Sequence, residues 1–167
     1  MLSLKESGIE VSVFSDSIVI SYPHENTSPL SNLLMEVIHL QLDMMSVKVM
    51  MRGGITYGKL YHSDGIVYGL AMIDAYNLES KCAIYPRVVV NGSALVAGIQ
   101  CGWDGPDNEQ EVINEITMRD EDGKIFVDFM SQWQETDDNN AYLVVLCTTN
   151  KTLDKLKPEY SDGLYIE

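Results

Sequence analysis

Three side chains in this sequence have the chemistry to hold a divalent metal ion and the phosphate oxygens of a ligand: Asp16, Arg52 and Arg87. A carboxylate supplies the hard oxygen ligands that Mg²⁺ and Mn²⁺ prefer, and a guanidinium can donate two parallel hydrogen bonds to a phosphate. Each residue also has a structural interpretation. Aspartate is common in turns, and either arginine could pair with one of the 25 acidic side chains of the chain.

Other polar residues are weaker candidates for chemistry. Tyr76 and Glu79 could line a pocket for a base, but we favour packing between a helix and a sheet for Tyr76 and a structural hydrogen bond for Glu79. The histidines lack metal-ligand spacing and are interpreted as structural or surface residues: His24, His39 and His62. Four acidic residues near two glycines lack the calcium-loop pattern, which favours a solvated loop: Asp104, Asp107, Glu109 and Glu111.

The segment around Asp16 predicts a tight hairpin. Ile9–Phe14 alternates apolar and polar residues, which indicates a strand. Ile18–Tyr22 is rich in β-branched residues and predicts a second strand. Only three residues, Ser15 to Ser17, separate the two segments, so Asp16 should lie at the tip of the hairpin.

The segments after the hairpin predict the helices and strands that carry Arg52, Tyr76 and Arg87. Ser28 and Pro29 form a helix-start signal, and the apolar spacing after them predicts a helix that ends near Ser46. The later segments predict a strand at Arg52–His62, a helix at Tyr68–Ala83 and a short buried strand at Arg87–Val90. Ala94–Ile99 is ambiguous between helix and strand, and Gly102–Asn108 is predicted to be a loop. Strands are predicted at Val112–Met118, Ile125–Met130 and Tyr142–Cys147, and a last helical turn at Thr152–Lys157.

The mixture of predicted strands and helices indicates an α+β or α/β fold, and the length predicts one domain spanning residues 1–167. The net charge of −14 argues against bulk binding of nucleic acid. No apolar run has the length that spans a bilayer, which argues against a membrane protein. Three cysteines without zinc spacing indicate reduced thiols and a cytoplasmic location.

Three segments, in this order, resemble the catalytic core of the class III nucleotidyl cyclases. VFSDSIV at 13–19 resembles the hairpin whose tip carries the second metal-binding aspartate of that family, and RGGITYG at 52–58 resembles a later strand. The third comprises Tyr68-Gly69, Ala75-Tyr76, Leu78-Glu79 and YPRV at 85–88, and it is similar to the bacterial pyrimidine cyclases of Pycsar antiphage defence.

The resemblance implies an α+β fold with a ferredoxin-like mixed sheet, helices on one face and a core at residues 9–130. The strand patterns predict that the Ile9–Tyr22 hairpin lies next to Arg52–His62 in that sheet. It implies conversion of a nucleoside triphosphate, with pyrimidines favoured, into a cyclic mononucleotide and pyrophosphate by two Mg²⁺ or Mn²⁺ ions. Asp16 would be the metal-binding and catalytic residue, and Arg52, Tyr76 and Arg87 would contact the substrate. The partner would be a second copy of the chain or a complementing chain.

The chain departs from the family pattern in three places. Only eight residues precede Ile9 and none is aspartate, so the first strand and its metal ligand are missing and the fold is shortened at its N-terminus. Ser12 stands where a lysine contacts purine bases in adenylyl cyclases, and Ile73 and Asn77 stand at the ribose- and triphosphate-binding positions. We therefore expect a domain that is incomplete or inactive alone. The alternatives are a catalytically inactive module that binds a nucleotide or a partner, and an acidic interaction protein.

Overall fold

A four-stranded mixed sheet built from short segments forms the centre of the structure. The computed structural model describes residues 8–26, 28–103 and 105–132. Val88–Val90 (β6) pairs in parallel with Gly53–Ile55 (β3) and antiparallel with Ile125–Val127 (β8). Thr117–Arg119 (β7) pairs antiparallel with β8 and completes the order β3-β6-β8-β7. All three valines of β6 are buried, as expected of an interior strand whose two faces are both covered.

In the described residues, four helices cover both faces of this sheet: Pro29–Ser46 (α1), Leu70–Cys82 (α2), Gly92–Gln100 (α3) and Pro106–Ile116 (α4). Side chains alternate along a strand. Ile55 and Val90 therefore face one side, where they join the apolar cluster with α1, α3 and α4. Gly54 faces the other side, where an added Cβ would lie 2.7 Å from the carbonyl oxygen of Ala75 in α2. The α+β class is confirmed, whereas the prediction of helices on one face is wrong.

Two hairpins lie outside the sheet: Glu10–Phe14 (β1) with Ser17–Ser21 (β2), and Tyr61–Ser63 (β4) with Ile66–Tyr68 (β5). The hairpin around Asp16 is confirmed, but its predicted place beside Arg52–His62 in one sheet is wrong. The chain leaves the sheet after Ile55, where the Thr56 hydroxyl donates to the Ala71 carbonyl (2.9 Å) at the start of α2. The rest of the predicted strand Arg52–His62 is a loop followed by β4.

Helix α1 has the predicted bounds, but Ser28 does not cap it with its side chain. Ser28 has a left-handed backbone with φ of 47°. Its hydroxyl instead donates to Glu109 Oε2 (2.7 Å), and the Ser31 hydroxyl donates to the other carboxylate oxygen. Glu109 is a buried residue of α4. Its hydrogen bonds with Ser28 and Ser31 place the carboxylate at the N-terminal end of α1, where the helix dipole stabilises an anion.

The segment after α3 differs most from the sequence prediction. Ala94–Ile99 is helical, and the Asn91 side chain caps α3 by accepting a hydrogen bond from the Ser93 N–H (3.0 Å). Helix α4 replaces the last three residues of the predicted loop Gly102–Asn108 and the first five residues of the predicted strand Val112–Met118. Pro106 and two acidic residues in the first turn favour a helix start here. The predicted strand Ile125–Met130 is shorter, ending at Val127.

Two predicted elements, Tyr142–Cys147 and Thr152–Lys157, lie outside the described residues. Within the described ranges, every helix is too short or too polar to cross a bilayer.

The contact between α1 and α3 generates a stability prediction. A Cβ at Gly98 would lie 2.5 Å from Cβ of Leu30, so Gly98→Ala should force the helices apart. We expect the free energy of unfolding to fall by roughly 1–3 kcal/mol, measured by urea denaturation.

Gly92→Ala is the matched control in the same helix, because nothing lies within 4 Å of its Cβ position. This control should leave stability unchanged or slightly raised. An equal loss in both variants would contradict tight packing at Gly98.

Candidate functional site

Asp16 lies at the tip of the β1–β2 hairpin. Phe14 pairs with Ser17 at the end of the ladder, and the two-residue connection places Ser15 in a left-handed conformation with φ of 54°. Asp16 is exposed. Its carboxylate has no hydrogen-bond or ion-pair partner within the part of the chain that the structure describes. It is therefore available to a ligand, as the sequence interpretation requires.

The hairpin behind Asp16 presents its apolar face to solvent. Val11 pairs with Ile20 and Val13 with Ile18, so these four side chains share one face. Val13 is 67% exposed, and Val11 and Ile18 are also exposed. The opposite face carries Ser12, which is buried, and Ser21, together with Phe14 and Val19. An apolar surface of this kind is unusual on an isolated soluble protein.

Two serines on this opposite face of the hairpin are anchored by His62 of β4. The Ser12 hydroxyl is hydrogen-bonded to His62 Nε2 and the Ser21 hydroxyl to Nδ1, both at 2.8 Å. Because these hydroxyls can donate or accept, either neutral tautomer of the imidazole is satisfied. His62 thus holds the two hairpins together, which confirms the structural role predicted for it.

Arg87 is a buried structural cation. Its side chain is only 6% exposed and forms ion pairs with Asp120 and Asp122, the latter at 2.5 Å. Nη2 also donates to the Cys82 carbonyl (2.9 Å) at the end of α2. The hydrogen bond from Arg87 holds the pKa of Asp122 below its usual value, and the same bond raises the pKa of Arg87 against the effect of burial. Arg87 thus has the acidic neighbours that the sequence offered as its alternative partners, and its contact with substrate stays a prediction.

Arg52 occupies the equivalent place on the neighbouring strand. Gly53 pairs with Val88, so Arg52 and Arg87 precede paired residues of two parallel strands. Arg52 Nε lies 2.6 Å from Glu79 Oε1 of α2, and its side chain is 53% exposed. Glu79 has the structural role that the sequence suggested. Arg52 keeps a solvent-facing guanidinium and remains a candidate for binding an anion.

Tyr76 does not pack between helix and sheet, so the packing interpretation is wrong. It is 65% exposed on the outer side of α2, together with the exposed side chains of Leu70 and Ile73. The positions that meet the sheet are Ala75 and Leu78, which lie against Gly54. The sequence showed an apolar helix but not which of its apolar residues face outward.

The four residues predicted for the site lie on four separate elements or their ends. Asp16 belongs to a different sheet from the strands that Arg52 and Arg87 precede, and Arg87 is already paired. Within residues 8–26, 28–103 and 105–132, no cluster of three or more His, Cys, Asp or Glu side chains could hold a metal ion. The described residues therefore do not assemble a complete two-metal centre.

Sequence reasoning missed the buried carboxylate of Glu109. The four acidic residues near Gly102 and Gly105 were assigned to a solvated loop, yet Glu109 is buried and accepts hydrogen bonds from Ser28 and Ser31. A signal was present: Ile113 and Ile116 follow at i+4 and i+7, so Glu109 shares their buried helix face.

Comparison with known proteins adds no assignment: no protein-family model, no curated protein and no solved structure matches this chain.

The burial of Arg87 generates the second prediction. Arg87→Met removes the donors to Cys82 and to both aspartates, and it should lower the free energy of unfolding by about 2–3 kcal/mol. Arg52→Met is the control, because its half-exposed ion pair should contribute less than about 1 kcal/mol. Both are measured by urea denaturation at pH 7. Equal losses would show that burial does not distinguish the two arginines.

The same variant should show a defined pH dependence. The folded-state pKa of Asp122 is lowered, so its stabilising effect is full above the unfolded pKa and is lost as pH falls through the folded value. The stability difference between wild type and Arg87→Met should therefore shrink below about pH 4. A difference that stays constant from pH 7 to pH 3 would contradict this.

Proposed function

We propose that this chain is a class III nucleotidyl cyclase-like domain that contributes one metal-binding hairpin to a nucleotide site. The observation that carries the proposal is the hairpin tip, where the Asp16 carboxylate is exposed and has no partner among the described residues. Three segments in the order of the family support it. The proposed reaction converts a nucleoside triphosphate, with pyrimidines favoured, into a cyclic mononucleotide and pyrophosphate.

The donor set fits the implied metal ions only in part. One carboxylate at a hairpin tip is a poor site for Mg²⁺ or Mn²⁺, which need several oxygen ligands. No further acidic cluster is available in the described residues. The described residues alone therefore do not account for two-metal chemistry, and a second acidic ligand would come from outside them. Arg52, with its half-exposed guanidinium, is the residue we retain as a contact for the triphosphate.

The sheet offers a place for an additional strand. Gly53 N–H donates to the Arg87 carbonyl (3.2 Å), and the Ile55 carbonyl accepts from Asn91 N–H (2.9 Å), so both residues bond towards β6. The backbone groups of Gly54 consequently point to the outer edge, which no described strand pairs. In a ferredoxin-like fold the first strand lies in the middle of the sheet. In the described residues the Asp16 hairpin and β3 belong to separate sheets.

Exposed apolar side chains support association with another copy of the chain. Leu70, Ile73 and Tyr76 lie at helical spacing on the outer side of α2, and all three are exposed. Val11 and Val13 form a second exposed apolar surface on the hairpin. Patches of this kind mark interaction sites. They also support the second candidate, a catalytically inactive module that binds a partner through these surfaces.

The metal and activity prediction follows from the incomplete donor set. We expect these 167 residues to bind Mn²⁺ weakly and to form no cyclic nucleotide from any of the four triphosphates. Paramagnetic broadening by Mn²⁺ should be strongest for the amides of Ser15 and Ser17, and Asp16→Asn should abolish it. Broadening unaffected by Asp16→Asn would contradict the metal role. If the 167 residues form a cyclic nucleotide and Asp16→Ala abolishes this activity, the prediction that the site is incomplete would be contradicted.

The association prediction uses the outer side of α2. We expect a dimer by analytical ultracentrifugation, and Ile73→Asp should dissociate it because a charge would be buried in an apolar contact. Val112→Asp is the control, since Val112 is also half-exposed but lies on α4. Two copies at −14 each repel, so added salt should strengthen the dimer. If the protein is monomeric at all concentrations tested, the prediction of a homodimer would be wrong.

A further inference from the structure

An exposed tryptophan flanks a groove on the side of the molecule where α1 begins. The groove has a volume of about 570 Å³ and is lined by His24, Glu25, Asn26, Cys101, Gly102 and Trp103. Trp103 is 84% exposed, more than any other large apolar side chain in the described ranges. Such exposure leaves the whole π-face of an indole open to a ligand.

The backbone under this indole is held firmly. The Trp103 N–H donates to the Ser28 hydroxyl (3.0 Å), which in turn donates to the buried carboxylate of Glu109 (2.7 Å). Ser28 N–H donates to the Cys101 carbonyl (3.0 Å). Gly102 is pressed against the same carboxylate side chain, because an added Cβ would lie 2.5 Å from Glu109 Cβ. The loop backbone is therefore held in place while the Trp103 ring stays exposed to solvent. Such preorganisation lowers the entropic cost of binding a ligand.

The groove lining also contains an acidic side chain and an imidazole, Glu25 and His24. The Glu25 side chain is exposed, and its Oε1 lies 3.7 Å from Nδ1 of His24. The His24 ring stacks on Tyr57, with centroids 6.4 Å apart and planes 23° apart. Among the described residues, no lysine or arginine lines the groove, and the chain carries a net charge of −14. An anionic ligand is disfavoured here, and a cation is attracted.

We propose that this groove binds an organic cation, with its ammonium or guanidinium head group between the face of Trp103 and the carboxylate of Glu25. Tryptophan is the best aromatic partner for a cation, and the carboxylate adds a direct ion pair. A neutral aromatic ring would gain from the indole but not from Glu25. The shared chemistry has two sources, a free quaternary amine or the arginine side chain of a peptide. This site is separate from the proposed nucleotide site at Asp16.

The test compares two probes of the same shape that differ in charge. Choline and 3,3-dimethylbutan-1-ol are titrated into the full chain carrying Trp133→Phe, which leaves Trp103 as its single indole. We expect saturable quenching by choline that is about two- to five-fold tighter than by the alcohol. Glu25→Gln should weaken choline binding by about the same factor. Glu115→Gln, an exposed carboxylate on α4, should leave it unchanged.

Choline binding to Trp103→Leu is followed from the choline methyl signal by saturation-transfer NMR, and it should be lost. N-acetyl-arginine amide distinguishes the sources: tighter binding of choline indicates a quaternary amine, and tighter binding of the arginine derivative indicates a peptide side chain. Equal binding of choline and the alcohol would overturn the proposal, because the charge would then have no role. Absence of saturable quenching by both cations, or equal weakening by Glu25→Gln and Glu115→Gln, would also overturn it.

Discussion

The arrangement around the central strand depends on one buried cation. Arg87 immediately precedes β6, and its guanidinium joins the last turn of α2 to the turn between β7 and β8 through Cys82, Asp120 and Asp122. A buried charge without partners would cost several kcal/mol. The helix on one face and the hairpin at one edge are therefore held by the same side chain, and movement of either would leave that charge unpaired.

A second buried charge organises the other face. Glu109 has no cation beside it in the described residues; its carboxylate accepts hydrogen bonds from two serines at the positive end of the α1 dipole. These hydrogen bonds connect α1 with α4 and fix the loop that carries Trp103. Both buried charges are thus used for structure. Of the site residues predicted from the sequence, Asp16 at a hairpin tip and Arg52 just before β3 keep exposed charged groups.

Two opposing surface properties define how the molecule meets other molecules. Its net charge of −14 keeps copies apart in solution. Its outer α2 side chains and the hairpin valines expose apolar area that favours contact. Charge therefore affects which proteins can bind to these apolar surfaces. Association with another acidic protein must overcome electrostatic repulsion, whereas association with a basic protein need not. The same acidity makes the Trp103 groove suited to cations.

The sequence alone determined the elements whose pattern is local. Alternation and a three-residue gap were enough for the Asp16 hairpin, and apolar spacing after Ser28-Pro29 was enough for α1. It failed for α4, where the acidic first turn hid the buried face of Ile113 and Ile116. Only the tertiary structure decided that the hairpin lies outside the central sheet, that helices cover both faces, and that Tyr76 faces solvent. It also decided the partners of Arg87, which lie 33 and 35 residues away along the chain. Periodicity records which side chains share a face of one element, whereas the partner of a buried charge depends on how separate elements pack.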